Sequence, residues 1–318
     1  MNYDERYHAA LNALKDPATA SEGVAMMKEI AKCGDTRAMC DYGLMFITPT
    51  SRVMQNTEEA LKWLLAAAEH SDDRGQFYVG KMYYDGKGVK QDYIQASKWF
   101  TLSAEKGYAI AQYYLGHMYL HGNGVPKDLD EALRWFTLSV DRECNEARVA
   151  LGDILASDDY PAHDYKRAYM LYNAAKKDGY APGYYKLGMM YFEGKGIPQN
   201  HIRASKLFRE GSSDQLDNND CLFMLGKMYY YGLGVEKSEA RGLSYIRSAE
   251  SKGSEEARDL LDEIDKTRKE QRGWNGATPM LIPVQNLKTP DLLYIEREDG
   301  TRQTETVQKK RRFSIFKR

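Results

Sequence analysis

The chain has 318 residues, of which 42% are apolar and 29% charged, enough apolar material for a sizeable core and too much for an intrinsically disordered polymer. The 45 Lys and Arg against 46 Asp and Glu leave a net charge of −1, so no global basic field points to nucleic acid. No run approaches the roughly 18 apolar residues of a membrane span, and the acidic start Met1-Asn2-Tyr3-Asp4-Glu5 lacks the pattern of a secretory signal, which leads us to expect a soluble, cytoplasmic protein.

In chain order, residues 4–15 and 19–33 read as a first helix pair closing at Cys33-Gly34. A repeating unit follows. Leu115-Gly116-His117-Met118-Tyr119 recurs around Gly80, Gly188 and Gly226, and more weakly around Gly43 and Gly152, with intervals of 37, 36, 36, 36 and 38. A period of this size defines a solenoid of two-helix units. In the first helix of each unit, helix A, the positions matching Leu115, Met118 and Tyr119 are apolar throughout, as one helix face demands. Five residues before each glycine stands a small residue (Ala38, Gly75, Ala111, Ala147, Gly183, Cys221), expected to let neighbouring helices approach closely. The second helix, B, carries Ala followed three residues later by Trp63, Trp99, Trp135, Leu171 or Leu207, expected to fill the space between repeats. Between them Gly86-Lys-Gly88-Val89 recurs at Gly122, Gly194 and Gly232, where glycine permits the positive φ that ends a helix. Thr48-Pro-Thr-Ser51 and Asp158-Asp-Tyr-Pro161 replace that loop in the Gly43 and Gly152 units. Residues 253–270 supply a charged closing helix.

From Gly273 the period ends, and Pro279, Pro283 and Pro290 exclude a long helix. Residues 273–318 hold 9 basic and 5 acidic residues, the other 272 hold 36 and 41, so an acidic body carries a basic tail. Leu293 to Val307 alternates around Asp299-Gly300, a hairpin signal. The end gathers Lys309, Lys310, Arg311, Arg312, Lys317 and Arg318 beside two Phe. A solvated end, an anionic membrane surface bound weakly, a nucleic-acid contact or a partner's acidic groove all fit that cluster. The organisation expected is therefore a repeat body over 1–272 and an irregular tail over 273–318.

The repeating pattern resembles the Sel1-like repeat family, relatives of the tetratricopeptide repeats with a longer glycine-bearing loop. The resemblance covers roughly residues 4–270 and implies an all-α solenoid wound as a right-handed superhelix. By similarity to the tetratricopeptide fold, helix A lines the concave face. The positions three before and one, four and five after each glycine then point inward: Phe77, Lys81, Tyr84, Asp85; Tyr113, His117, Leu120, His121; Tyr185, Met189, Phe192, Glu193; Phe223, Lys227, Tyr230, Tyr231. Aromatic rings interleaved with charges suit a protein or peptide partner. The columns at 117 and 121 change character freely, so packing does not fix them; those at 113 and 120 also read as inter-repeat core.

Other chemistry finds little support. The GxGV loops follow helices, where a phosphate loop would follow a strand. His117 and His121 share a helix face without HExxH or an evident third ligand, so no metal and no cofactor is expected. Neither GxSxG nor SxxK occurs, and no nucleophile, base and orienter assemble. Cysteine-rich members of the family have been described as β-lactamase-like, but they carry paired cysteines in successive repeats, which here only Cys33 and Cys40 approach. A disulfide between these two is sterically conceivable, whereas a reducing cytosol favours four small buried residues at Cys33, Cys40, Cys144 and Cys221. The reading is a non-enzymatic scaffold or adaptor without a small-molecule substrate; the alternative within that class is an immunity-type protein that neutralises a toxin or effector.

Overall fold

The computed structural model describes residues 3–48, 53–273, 294–296 and 302–304. Among them are fifteen helices and one short antiparallel ribbon. Helices α1 (Tyr3–Lys15) and α2 (Ala20–Lys32) form the leading pair. Six hairpins follow: α3 and α4 (Thr36–Met45, Thr57–Glu69), α5 and α6 (Asp73–Asp85, Tyr93–Glu105), α7 and α8 (Ala109–His121, Leu129–Val140), α9 and α10 (Asn145–Leu155, Tyr165–Lys177), α11 and α12 (Ala181–Glu193, His201–Gly211), α13 and α14 (Asn219–Tyr231, Glu239–Ser251). Helix α15 (Glu255–Gly273) closes the series. Strands β1 (Tyr294–Glu296) and β2 (Arg302–Thr304) pair with Ile295 opposite Gln303, as the alternation around Asp299-Gly300 led us to expect. The chain divides into two compact units, residues 1–151 and 152–318.

One contact explains the recurring glycine. A Cβ on Gly80 would stand 2.8 Å from the ring of Phe100, and one on Gly116 would stand 2.8 Å from the ring of Phe136. Gly152 meets Tyr172, Gly188 meets Phe208 and Gly226 meets Ile246 in the same way. Each of these B-helix side chains lies 20 residues after its glycine and is buried. The core column of helix B is thus Leu64, Phe100, Phe136, Tyr172, Phe208 and Ile246, one residue beyond the Trp/Leu column expected to fill that space. Trp63, Trp99 and Leu171 are only half-buried, while Trp135 and Leu207 are buried. The small residues five before each glycine behave as expected: a Cβ on Gly75 would sit 2.8 Å from the Ala67 methyl, and Ala38, Ala111, Ala147 and Cys221 are fully enclosed.

The loops are held by two devices. Gly86, Gly122, Gly194 and Gly232 end their helices in the left-handed region, with φ of 68°, 75°, 73° and 76°. Each B helix then opens on a side chain that caps it: Asn56, Asp92, Asp128, Asp164, Asn200 and Ser238 all accept hydrogen bonds from first-turn amides. The amides of Asp92, Asp128, Asp164, Asn200 and Ser238 donate back to the carbonyls of Tyr83, Tyr119, Leu155, Tyr191 and Tyr229 at 2.8 to 2.9 Å, which sets the length of the loop. All four cysteines are free, so Cys33 and Cys40 are not bridged; Cys33 is exposed, unlike the other three, because it follows α2 at a helix end.

Candidate interaction face

The candidate face is built on the A helices. In the first unit, Lys81 and Tyr84 on α5 stand beside Tyr114 on α7. The Lys81 Nζ lies 2.9 Å from Asp85 Oδ2 and 5.0 Å from the centre of the Tyr114 ring. Although burial opposes the charge, the Asp85 hydrogen bond and the Tyr114 hydroxyl hold the Lys81 ammonium above its ordinary value. The Tyr84 ring meets Tyr114 edge-on at 5.6 Å and Tyr93 at 5.2 Å, and burial raises its hydroxyl pKa. On α7, Tyr113 stands edge-on to His117 at 4.9 Å, and His117 stacks on His121 at 5.3 Å. His117 is half-buried against Phe136, and burial first, then the His121 charge, lowers its pKa. His121 and Asp85 are exposed.

Three residues placed on this face by the sequence reading belong to the core instead. Phe77 is 4% exposed, enclosed by Tyr78, Phe100, Tyr108 and Tyr114. Tyr230 is 7% exposed and packs in the last core cluster beside Leu243 and Ile246. Phe192 is buried for the same reason, against His201. In the columns three before and four after the glycine the neighbouring side chains decide the outcome: Phe77, Phe192 and Tyr230 are sealed, while Tyr84, Tyr113, Tyr185 and Phe223 stay partly exposed.

The reading also missed a column. Two residues before four of the six glycines stand Asp41, Tyr78, Tyr114 and Lys186, all partly exposed, while Ala150 and the buried Met224 hold the position in the other two repeats. Arg74 Nη2 lies 2.5 Å from Asp41 Oδ1, and the Tyr7 hydroxyl donates to Asp41 Oδ2, so α1, α3 and α5 are tied by one polar cluster. Burial and the Asp41 carboxylate push the Tyr7 hydroxyl up to about 12. Free variation from Asp to Tyr to Lys, the criterion that singled out the 117 column, identifies this column too.

In the second unit the A-helix face is more charged. Lys186 Nζ lies 2.8 Å from Asp153 Oδ2, and Asp153 also accepts from the Tyr172 hydroxyl at 2.7 Å. Tyr185 is half-buried against Phe208, and burial pushes its hydroxyl up to about 12. Lys227 Nζ rests 5.4 Å above the Phe223 ring without an ion pair among the described residues, and burial lowers its pKa. Glu193 is exposed and Tyr231 half-buried. Among the described residues no three His, Cys, Asp or Glu side chains come together as a metal site, and no helix is long and apolar enough to cross a membrane. Lys309, Lys310, Arg311, Arg312, Lys317 and Arg318 lie outside the described residues.

Six consecutive helical hairpins, each locked by a glycine under a B-helix side chain and presenting a mixed aromatic and charged A-helix face, define an all-α repeat protein. A family model described as Sel1 repeat matches residues 36–72, 73–108, 109–143, 146–180, 181–214 and 219–254. The chain belongs to the Sel1 repeat family. Among solved structures it is similar to c5321, a protective antigen of uropathogenic Escherichia coli strains with the same repeat fold, at 27% identity and a TM-score of 0.64, over 80% of this chain and 53% of that one. It thus spans about half of that relative's length. It is also similar to a Sel1 repeat protein from Oxalobacter formigenes, at 26% identity and a TM-score of 0.62, over 74% of this chain and 89% of that one. A comparison with curated proteins finds no match.

Proposed function

We propose that this protein is a non-catalytic interaction scaffold that holds a partner protein or peptide against the A-helix face of its repeats. One observation carries the reading: Tyr78, Lys81, Tyr84, Tyr114 and His117 stand half-exposed side by side on α5 and α7, above a core closed by Phe77, Phe100 and Phe136. Rings already held by packing lose little side-chain entropy on binding, and their polar tips supply orientation. Membership of a family of repeat scaffolds supports the same reading, and four unbridged cysteines support a reducing, cytoplasmic setting. Adaptor and toxin-neutralising roles call for the same surface and differ in the partner recovered.

The test is quantitative capture from native lysate with intact protein and with the Lys81→Ala/Tyr114→Ala/His117→Ala variant, after circular dichroism has shown equal helix content. A partner bound by the intact protein and reduced at least about tenfold by the variant is the expected result, as the loss of two or three interfacial anchors implies. Equal capture by both would overturn the assignment of this face.

A further inference from the structure

The second unit reverses a charge pattern that the first unit keeps. The third residue of each B helix donates its amide to the capping side chain. It is Glu59, Gln95 and Glu131 in α4, α6 and α8, but Arg167, Arg203 and Arg241 in α10, α12 and α14. Glu or Gln suits this position, because its side chain reaches back toward the cap and a helix N-terminus attracts negative charge. A guanidinium there opposes the helix dipole, so helix stability does not account for three in succession. Local preferences broken in this way mark functional surfaces.

All three arginines are exposed, and none makes an ion pair among the described residues. Two of them are held by tyrosines. Arg203 Cζ lies 5.6 Å above the Tyr191 ring, whose hydroxyl meets that of Tyr169 at 3.2 Å, and Arg241 Cζ lies 5.9 Å above the Tyr229 ring. The Tyr229 hydroxyl also accepts at 3.0 Å from Nη2 of Arg209, which is exposed and likewise without an ion pair among the described residues. Two guanidiniums thus converge on one phenol and repel each other, which an anion shared between them would relieve. The nearest carboxylates in sequence serve other cations: Glu210 lies 4.0 Å from Lys176, and Glu239 lies 3.1 Å from Lys237 and 3.5 Å from Arg268.

The rings discriminate between anions. Single-stranded nucleic acid is gripped by stacking its bases on unengaged aromatic faces. Here Tyr229 stacks on Tyr245 at 5.7 Å and Tyr191 stands edge-on to Tyr169, so the rings are taken up by each other and by the guanidiniums. The recognising groups left are the guanidinium forks, whose planar donors match carboxylates.

We propose that Arg203, Arg209 and Arg241, steadied by Tyr191 and Tyr229, form a second docking surface that takes an acidic segment of a partner protein, its Asp and Glu carboxylates pairing with the guanidiniums. This surface shares no residue with the interaction face described above and stands or falls independently of it.

Binding is followed on the full-length protein by the anisotropy of fluorescein-labelled octaglutamate, with octaglutamine and single-stranded octathymidylate as the other ligands. The expected result is saturable binding of octaglutamate, none of octaglutamine, and an affinity at least about tenfold lower for Arg203→Gln/Arg241→Gln, as the loss of two charge-assisted pairs implies. Gln95 holds the same position in α6, so these substitutions suit a capped helix. Lys87→Gln/Lys98→Gln removes the same charge from exposed positions of the first unit and should leave the affinity within about twofold. Phenylglyoxal labelling read by mass spectrometry locates the contact, and bound octaglutamate should slow the modification of Arg203, Arg209 and Arg241. Equal losses in the two variants, no saturable binding, or protection confined to Arg311, Arg312 and Arg318 would overturn the proposal. Octathymidylate bound more tightly than octaglutamate would overturn it in favour of nucleic acid.

Discussion

Replacing Gly116 by Ala tests the contact that organises every repeat. A Cβ at this position would stand 2.8 Å from both Cδ1 and Cε1 of Phe136 and 3.2 Å from Cγ, against the roughly 3.5 to 4.0 Å of an ordinary carbon contact. Phe136 is fully buried, so its ring has nowhere to retreat. Alanine in a helix interior is favoured over glycine by about 1 kcal/mol, while overpacking a closed core costs about 1 to 3 kcal/mol. Because the ring is fully enclosed, the upper part of that range, about 2 to 3 kcal/mol, applies, and we expect Gly116→Ala to destabilise the protein by about 1 to 2 kcal/mol despite its higher helix propensity. The assay is urea unfolding followed by circular dichroism and tryptophan emission together, because a repeat array yields one free energy only where the two transitions coincide. Phe136→Leu, which removes the obstructing ring edge, should cost stability alone yet cost less in the Gly116→Ala background. A favourable coupling of about 1 kcal/mol or more is expected for groups in direct contact. Wild-type or greater stability of Gly116→Ala, or strict additivity of the pair, would refute the argument.

Three further outcomes follow from groups described above. His117 has its pKa lowered by burial, so the unfolded chain binds its proton more readily; stability should be complete above the ordinary His value of 6.5 and decline as pH falls through it. His117→Gln should flatten that decline in denaturation measured at about pH 7.5 and 5.5, and an unchanged slope would discount His117. Lys227 is desolvated over the Phe223 ring without an ion pair among the described residues, so Lys227→Met should raise the unfolding free energy in urea by about 0.5 to 1.5 kcal/mol, and a lowered value would contradict that reading. Asp128 caps α8 through the Glu131 amide, and Asp128→Ala should lower stability by about 1 kcal/mol while Asp128→Asn stays within a few tenths; equal losses would point to charge in place of capping.

The repeat was legible because its cause is local: helix periodicity, turn glycines and small residues at close crossings all leave marks at fixed spacing. The leading pair expected over 4–15 and 19–33 is found within a residue at each end, the closing helix expected over 253–270 within three, and the six hairpins follow in the expected order. What escaped is which of two adjacent large residues enters the core. Trp99 and Phe100 both follow Ala96 on helix B, and only the approach of Gly80 from the partner helix selects Phe100. The same limit applied to the face. Phe77 and Tyr113 occupy one repeat position, yet Phe77 is sealed by three tyrosines and Phe100, while Tyr113 stays half-exposed over His117. Neighbours drawn from other helices decide such cases, and one chain read alone does not display them. The Asp41, Tyr78, Tyr114 column was visible as variation and was passed over because the tetratricopeptide orientation was carried across unchanged.

The two kinds of glycine contact divide their labour in a way that bears on how such a chain changes length. The mid-helix glycine closes each hairpin on itself, as Gly116 does with Phe136. The second loop glycine docks on the opening of the preceding B helix: Gly88 on Thr57, Gly124 on Tyr93, Gly196 on Tyr165 and Gly234 on His201. Every such hairpin thus offers its successor the same socket and fills its predecessor's with the same plug. Duplication or excision of one whole register, in the stretches that keep the glycine loop, leaves matching ends, so the gene can lengthen or trim its docking surface by a cassette at a time without redesigning a junction.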